Sequence, residues 1–192
     1  MILPVVAYGN PVLRKICDDI KPDYPGLEKL ILDMWHTVYN SNGVGLAAPQ
    51  INKPIRLFVI DTLQIVKDFE KEDFIKYPGE EPIKQIFINA KIVEEWGEEW
   101  AYNEGCLSIP KVREDIMRPK QLKLQYLDEN FSPHEKEFHG ITARVIQHEY
   151  DHIEGKLFID YLSLLKKRLI KKKLDDISKG KVKVDYRMLF QK

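Results

Sequence analysis

The sequence is poor in cysteine and has no long hydrophobic run. Its two cysteines, Cys17 and Cys106, are too few for a disulfide scaffold. No stretch approaches the roughly 18 apolar residues of a membrane-spanning helix, and residues 1–15 lack the basic and apolar regions of a secretion signal. These absences predict a soluble protein of a reducing compartment, for which we expect a cytoplasmic location.

The chain also lacks a net charge. Thirty Lys and Arg residues balance thirty Asp and Glu residues, so the overall charge calls for neither DNA nor an acidic membrane as a partner. With 192 residues, of which 44% are hydrophobic, the chain suits one domain with a sizeable core. We therefore predict a single domain over residues 1–192, with no DNA or membrane partner.

The hydrophobic pattern predicts an α+β fold. Apolar residues recur at helical spacing within residues 27–38. Strands are predicted at residues 55–61, 86–89, 92–96, 122–128 and 135–140. They should be mostly antiparallel, because no long crossover helices separate them, and should pack around a central helix near residue 148.

Three segments lie outside this core pattern. Residues 62–84 are charge-rich and are predicted to be a solvent-exposed insertion, and residues 180–192 form a tail of unassigned role. Residues 162–178 predict an amphipathic C-terminal helix with six bases among residues 166–173. Its predicted inner face consists of Leu162, Leu165, Leu169 and Ile177.

The motif QHEYDHIEG, residues 147–155, indicates a metal site. On a helix, His148 and His152 lie on one face, and Glu149 projects about 100° away from His148. This is the H-E-x-x-H pattern, in which two histidines bind a metal ion and the glutamate is a general base. Gly155 favours the helix as its stop signal, although a histidine pair on an apolar face can also be part of a core.

A hydrolytic metal centre needs a third protein ligand. Upstream, in EGCLSIP, Cys106 offers a thiolate, and Gly105 lets the backbone pass close to an ion. A free cysteine can equally be a small buried hydrophobic residue. The downstream candidates that remain open are Asp160, Asp175, Asp176 and Asp185.

A glycine-rich stretch, GVGLAAPQ at residues 43–50, precedes a predicted strand. Glycines on both sides of Val44 suggest a loop that brings backbone groups against a ligand, and Gln50 supplies an amide donor. On its own this stretch is weak evidence for a site.

Together, GVGLAAPQ, EGCLSIP and QHEYDHIEG resemble the three signature motifs of peptide deformylases, in the family's order. With YGNPVLRK and KLFIDYLS the resemblance covers most of residues 4–165, and it fits residues 64–84 and 180–192 less well. It implies three metal ligands, namely Cys106, His148 and His152. It further implies a catalytic acid/base, an oxyanion site and a substrate-backbone contact, which are Glu149, Gln50 with the N–H of Leu107, and Gly45.

The resemblance implies removal of the formyl group from N-formylmethionine at the start of nascent polypeptides, with release of formate. A divalent ion on one thiolate and two imidazoles would lower the pKa of bound water and supply hydroxide to attack the formyl carbon. Glu149 would take the proton and pass it to the departing nitrogen. The implied physiological ion is Fe²⁺, and the ligand set also accepts Zn²⁺, Ni²⁺ or Co²⁺.

Two further expectations concern substrate and partner. An apolar pocket near Val44, Ile141 and Val145 would suit methionine, although these residues can equally be ordinary core. The resemblance also suggests weak docking of the basic C-terminal helix to ribosomal RNA, although a solvated face explains the same pattern.

Two other classes of function remain open at this point. One is a metallopeptidase that cleaves internal peptide bonds, which the H-E-x-x-H pattern alone permits. The other is a module with a structural metal, which would require a fourth protein ligand.

Overall fold

The computed structural model describes residues 1–66 and 81–191. Its helices in this part of the chain are α1 (Leu27–Asn40), α2 (Leu63–Val66), α3 (Gly140–Ile153) and α4 (Leu164–Ser178). Its strands are β1 (Val5–Val6), β2 (Gly45–Ala47), β3 (Leu57–Asp61), β4 (Lys84–Cys106), β5 (Ile109–Leu127), β6 (Pro133–His139) and β7 (Met188–Leu189). Short 3₁₀ turns lie at Pro11–Arg14, Ala48–Ile51 and Phe158–Tyr161. Among the described residues, no helix is long and apolar enough to cross a membrane.

Five strands form one antiparallel sheet in the order β2-β3-β4-β5-β6, and β1 pairs with β7 in a small parallel sheet. The predicted α+β class with mostly antiparallel strands is confirmed. The predicted stripe of helix α1 is confirmed too, because Leu27, Ile31, Met34 and Val38 are all buried.

Strands β4 and β5 are much longer than the sequence pattern predicts. The predicted strands at 86–89 and 92–96 are parts of the single strand β4, which continues to Cys106. The register between β4 and β5 shifts at several points, including Trp96/Glu99 beside Gly97, whose φ is +87°. Such bulges break the alternation of apolar and polar residues, which is why the pattern shows only fragments of the hairpin.

Helix α3 lies at the centre of the fold, as predicted. It packs against β2, β3, β5 and β6 and buries apolar residues that include Ile141, Ile146 and Ile153. It ends at Ile153, and Gly155 follows with φ +69°, the left-handed conformation that favours glycine after a helix. The H-E-x-x-H residues are therefore carried by the most deeply packed helix in the described part of the chain.

Helix α4 forms where predicted but presents a different inner face. Ile170, Leu174 and Ile177 are buried, whereas Leu165 and Leu169 are 68% and 73% exposed. The prediction for Leu165 and Leu169 is therefore wrong. The helix carries apolar residues on two sides. The side spaced i, i+4, i+7 from Ile170 is the one that packs on the second core cluster, the group of buried residues that includes Leu13, Ile116 and Phe158.

The segments before and after the core also have defined positions. Most of the predicted insertion, residues 67–80, lies outside the described residues. Its flanks are held together, since the Thr62 N–H and the Ile83 N–H each bond across to the other residue at 2.9 Å. The tail turns at Gly180 and returns to the body of the protein, where β7 pairs with β1.

Candidate metal centre and cleft

Three predicted ligand side chains come together at one point. The donor atoms of Cys106, His148 and His152 all lie within 4.8 Å of one another, with the Cys106 Sγ 3.2 Å from the His152 Nε2. Cys106 is the last residue of β4, and both histidines project from α3. The hairpin and the central helix thus assemble a donor group from positions 46 residues apart.

This group fits a divalent transition-metal ion. One sulfur and two imidazole nitrogens suit Fe²⁺, Zn²⁺ and similar ions, and among the described residues the group contains three donors, as in catalytic centres. Burial lowers the pKa of His152 well below its usual value, which keeps this imidazole neutral. Burial alone would lower the pKa of His148 as well, but hydrogen bonds to Cys106 and Glu104 outweigh it and raise that pKa. A metal ion bound at this point would displace the proton that His148 shares with Cys106.

Glu149 lies beside the donor group in a buried position. It is 4% exposed, and its Oε2 has no hydrogen-bond partner among the described residues. Burial raises the pKa of Glu149 to about 7. Gly45 packs directly against this side chain, because a Cβ at residue 45 would lie 2.5 Å from the Glu149 Oε1. The carboxylate is thus held in a tightly packed position with one oxygen free for a proton.

Gln50 is fixed beside the Cys106 end of the group. Its Oε1 accepts a hydrogen bond from the Ala47 N–H at 2.8 Å, which orients the side-chain amide. Its Nε2 then points at the Cys106 Sγ, 3.4 Å away, and at the Ser108 Oγ, 3.3 Å away. Gln50 therefore presents a buried N–H donor next to the Cys106 sulfur. Leu107 follows in the two-residue turn between β4 and β5.

The structure reveals a buried charge network that the sequence reasoning missed. Glu104 accepts hydrogen bonds from His148 Nδ1 at 2.9 Å, from Arg118 Nε at 2.8 Å and from Arg144 at 2.8 Å. Arg118 also pairs with Asp151 at 2.7 Å. Burial would raise the pKa of Glu104, but His148 and Arg118 outweigh it and hold that pKa well below its usual range.

This network orients His148, one of the three candidate metal ligands. Because the Nδ1–H of His148 is donated to Glu104, the Nε2 of the same ring is the nitrogen left to bind an ion once it has lost its proton. The only sequence signal for this network was that Glu104 belongs to EGCLSIP. Its partners lie 14 to 44 residues away along the chain, so no local spacing connects them to Glu104.

A cleft of about 660 Å³ opens over the donor group. Val44, Gly45 and Val145 line it, as predicted. Ile141 does not line the cleft. It is fully buried in the first core cluster, the group that includes Phe58, Phe87 and Leu124, because the start of α3 faces the sheet. Gly105 was expected to let the backbone pass close to an ion, but the space beside it is occupied by Arg113. A Cβ at residue 105 would lie 2.7 Å from the Arg113 guanidinium.

Comparisons with known proteins agree on one family. The family model described as Polypeptide deformylase matches residues 2–168. A peptide deformylase of Christiangramia forsetii is 56% identical over 190 residues, covering 99% of this chain and 96% of that protein. One of Flavobacterium psychrophilum is 53% identical over 190 residues, covering 98% and 96%.

Solved structures give the same result. A peptide deformylase from Legionella pneumophila superposes with a TM-score of 0.78 at 34% identity, covering 94% of this chain and 98% of that chain. Peptide deformylase 1B of Arabidopsis thaliana, in complex with an inhibitor, superposes with a TM-score of 0.79 at 28% identity, covering 93% and 92%. From the family match, the near full-length relatives and the shared fold, we conclude that this chain belongs to the peptide deformylase family, hydrolases that remove the N-formyl group from nascent peptides.

Proposed function

We propose that this chain hydrolyses the formyl group of N-formylmethionyl peptides at the Cys106, His148 and His152 group, with Glu149 as the general acid and base. The observation that carries the proposal is the convergence of three metal-type donors with a buried glutamate whose Oε2 is free. We further propose Fe²⁺ as the physiological ion, with Zn²⁺, Ni²⁺ or Co²⁺ able to occupy the same sulfur and nitrogen donors. When bound, the ion would lower the pKa of a water molecule and polarise the formyl oxygen.

The residues of this chain supply the proton transfers and the charge stabilisation. The Glu149 Oε2 would accept a proton from the attacking water and deliver it to the departing amine nitrogen, which leaves poorly as an anion. The Gln50 Nε2, fixed by its bond from Ala47, and the N–H of Leu107 would donate to the developing oxyanion. Each of these groups comes from a buried or tightly bonded position, so little reorganisation is needed.

The shape of the cleft favours a small acyl group. Gly45 closes the space around Glu149, and Val44 and Val145 line an apolar wall that would accept the methionine side chain. An acetyl group carries a methyl where formyl has hydrogen, so it would collide near this buried carboxylate. We therefore propose that acetylated substrates react poorly.

The test uses two peptides that differ only in the acyl group. Anaerobically purified protein should release formate from formyl-Met-Ala-Ser and should release little acetate from acetyl-Met-Ala-Ser. Casein in the same buffer separates deformylase from peptidase activity. Cleavage of casein at a rate comparable to formate release, or equal rates on the two peptides, would overturn the proposal.

We also propose a cytoplasmic location and weak contact with ribosomal RNA through helix α4. Four bases on this helix, Arg168, Lys171, Lys172 and Lys173, are exposed. Of these, Lys172 also pairs with Asp176 at 3.1 Å. Lys166 and Lys167 are only half-exposed, and they are engaged by Glu114 at 2.9 Å and by the Asp160 carbonyl at 2.7 Å. The exposed leucines Leu165 and Leu169 adjoin this basic surface.

Ribosome binding tests the partner proposal. Changing the four exposed bases of α4 to glutamine should weaken co-sedimentation with ribosomes and reduce its salt dependence, because fewer phosphate counterions are released. A control variant with glutamine at four exposed lysines elsewhere, Lys21, Lys53, Lys91 and Lys136, carries the same charge change. Equal affinity of the two variants would dispose of a specific role for α4.

A further inference from the structure

The C-terminal tail reaches the catalytic cleft. Residues 183–186 line the same cleft as Cys106 and Glu149, although they follow helix α4 and lie beyond the part of the chain that the family model matches. Side chains of the tail alternate between exposed and half-buried positions, with the even-numbered residues facing inward. The tail therefore runs with one face on the protein and bends at residues 185–186, before it pairs as β7.

The tail is firmly attached on both sides of this segment. Val182, Met188 and Phe190 pack against the second core cluster, which Cys106 also contacts. The backbone carbonyls of Arg187 and Leu189 accept hydrogen bonds at 2.9 Å from β1 and the residue after it. Residues 183–186 are thus held between anchored positions instead of lying free across the opening.

Tyr186 makes the decisive contact. Its hydroxyl donates a hydrogen bond of 2.8 Å to the carbonyl oxygen of Leu107, across 79 residues of sequence. Leu107 sits in the two-residue turn next to Cys106, and its own N–H is the proposed oxyanion donor. The tail thereby contacts the turn that directly follows the proposed ligand Cys106 and contains the proposed oxyanion donor Leu107.

The same turn is fixed from two other directions. The Tyr8 N–H donates to the Ser108 carbonyl at 2.8 Å, and the Gln50 Nε2 donates to the Ser108 Oγ at 3.3 Å. Tyr186 bonds to the Leu107 carbonyl. It therefore restrains the peptide unit between Leu107 and Ser108, which directly follows the Leu107 N–H in the chain. A peptide unit held at its carbonyl cannot rotate freely, and this limits the direction of the neighbouring N–H.

We propose that Tyr186 is a positioning residue for the deformylation reaction, and that the tail completes the oxyanion side of the cleft by holding the Leu107 turn. This inference rests on the proposed roles of Cys106 and Leu107. It gives the tail, which the sequence left unassigned, a function in catalysis. A restraint that acts on an oxyanion donor matters most in the transition state, so its loss lowers kcat more than it raises KM.

Tyr186→Phe removes the hydroxyl and leaves the packing of the ring in place. We expect kcat for formyl-Met-Ala-Ser to fall about three- to tenfold, the effect of one neutral hydrogen bond, with KM changed less than about twofold. Amide hydrogen exchange should become faster in a peptide covering residues 103–112, while metal content and thermal midpoint stay at the parent values. Replacing Tyr186 by 4-aminophenylalanine, which keeps an N–H donor at the same reach, should restore most of the lost kcat.

Tyr24→Phe is the matched control. Tyr24 packs on the third core cluster, the buried group that includes Ile31, Met34 and Leu57, and it is not one of the residues that line the cleft. It undergoes the same chemical change. It should leave kcat and the exchange of residues 103–112 unchanged.

Three outcomes would overturn the inference. The first is a Tyr186→Phe variant with parental kcat and parental exchange in residues 103–112. The second is a variant that loses fold or metal in proportion to activity, since the role would then be structural. The third is a 4-aminophenylalanine variant as impaired as the phenylalanine one. A parent that releases no formate would instead sink the proposed function, while hydrogen exchange would still decide whether Tyr186 holds the turn.

Discussion

A methyl group added at Gly45 tests whether the close packing on Glu149 matters for chemistry. An ideal Cβ at residue 45 would lie 2.5 Å from the Glu149 Oε1 and 2.9 Å from both Cδ and Cγ, whereas ordinary contacts begin near 3.4 Å. Gly45 has no positive φ, so its backbone accepts alanine and the effect is steric. Gly45 is buried in β2 and paired with Ile60, so the carboxylate is the group that must move.

The size of the effect follows from this overlap. Relief requires the carboxylate to retreat by about 0.9 Å, and a misplacement of about 1 Å in a catalytic group can cost about 10²-fold in rate. We therefore expect Gly45→Ala to lower kcat by about 10²-fold and stability by about 1–3 kcal/mol, the usual cost of overpacking. Metal content should stay at the parent level, because Glu149 is not a member of the donor group.

Steady-state kinetics, metal analysis and urea unfolding check this prediction together. Gly26→Ala is the control, since its Cβ would meet nothing within 4 Å but its φ is +71°. That variant should lose stability through backbone strain and keep its kcat. If Gly45→Ala kept kcat within about threefold of the parent, or raised KM alone, the packing of residue 45 against Glu149 would not contribute to catalysis.

Two other substitutions separate stabilising and catalytic roles around the site. Gln50→Leu should keep fold and metal and lose about 10²–10³-fold in kcat, the usual effect of deleting one oxyanion donor; a kcat within about threefold of the parent would remove Gln50 from the mechanism. Glu104→Gln should destabilise the fold by about 3 kcal/mol or more, because it leaves the buried Arg144 without its countercharge and Arg118 with Asp151 alone. It should also weaken metal binding about 10–100-fold, because His148 loses its carboxylate partner. Urea unfolding and metal titration measure both effects, and the exposed Glu98→Gln should show neither. Parental values for Glu104→Gln would mean that the network does not support the ligand His148.

The sequence predicts the parts of the site that depend on local spacing. His148, Glu149 and His152 could be placed because the helical period alone sets their relative directions. Cys106 needed the resemblance, since nothing in a linear spacing brings β4 to α3. Glu104 and its arginines were missed for the same reason, because a buried network joins residues that are distant in sequence.

The fold was predictable at the level of class and not in its extents. Charged residues and register shifts hide most of the β4–β5 hairpin from any pattern of alternation. In α4, Leu165 and Leu169 are as apolar as the residues that are buried, and only docking on the second core cluster selects the other face. The tail gave no signal, because the bond from Tyr186 to Leu107 depends on the final fold.

The most direct test of the account is metal content and formate release measured on the same sample of Glu149→Gln, beside Cys106→Ala. Glu149→Gln keeps size and hydrogen bonding but removes the proton acceptor, so kcat should fall at least about 10²-fold while nearly one metal ion per chain remains. Cys106→Ala should release the ion and lose stability, because it removes one of three ligands. If Glu149→Gln were metal-free and Cys106→Ala fully loaded, Glu149 would be a ligand and Cys106 a packing residue, and the proposed site would be contradicted.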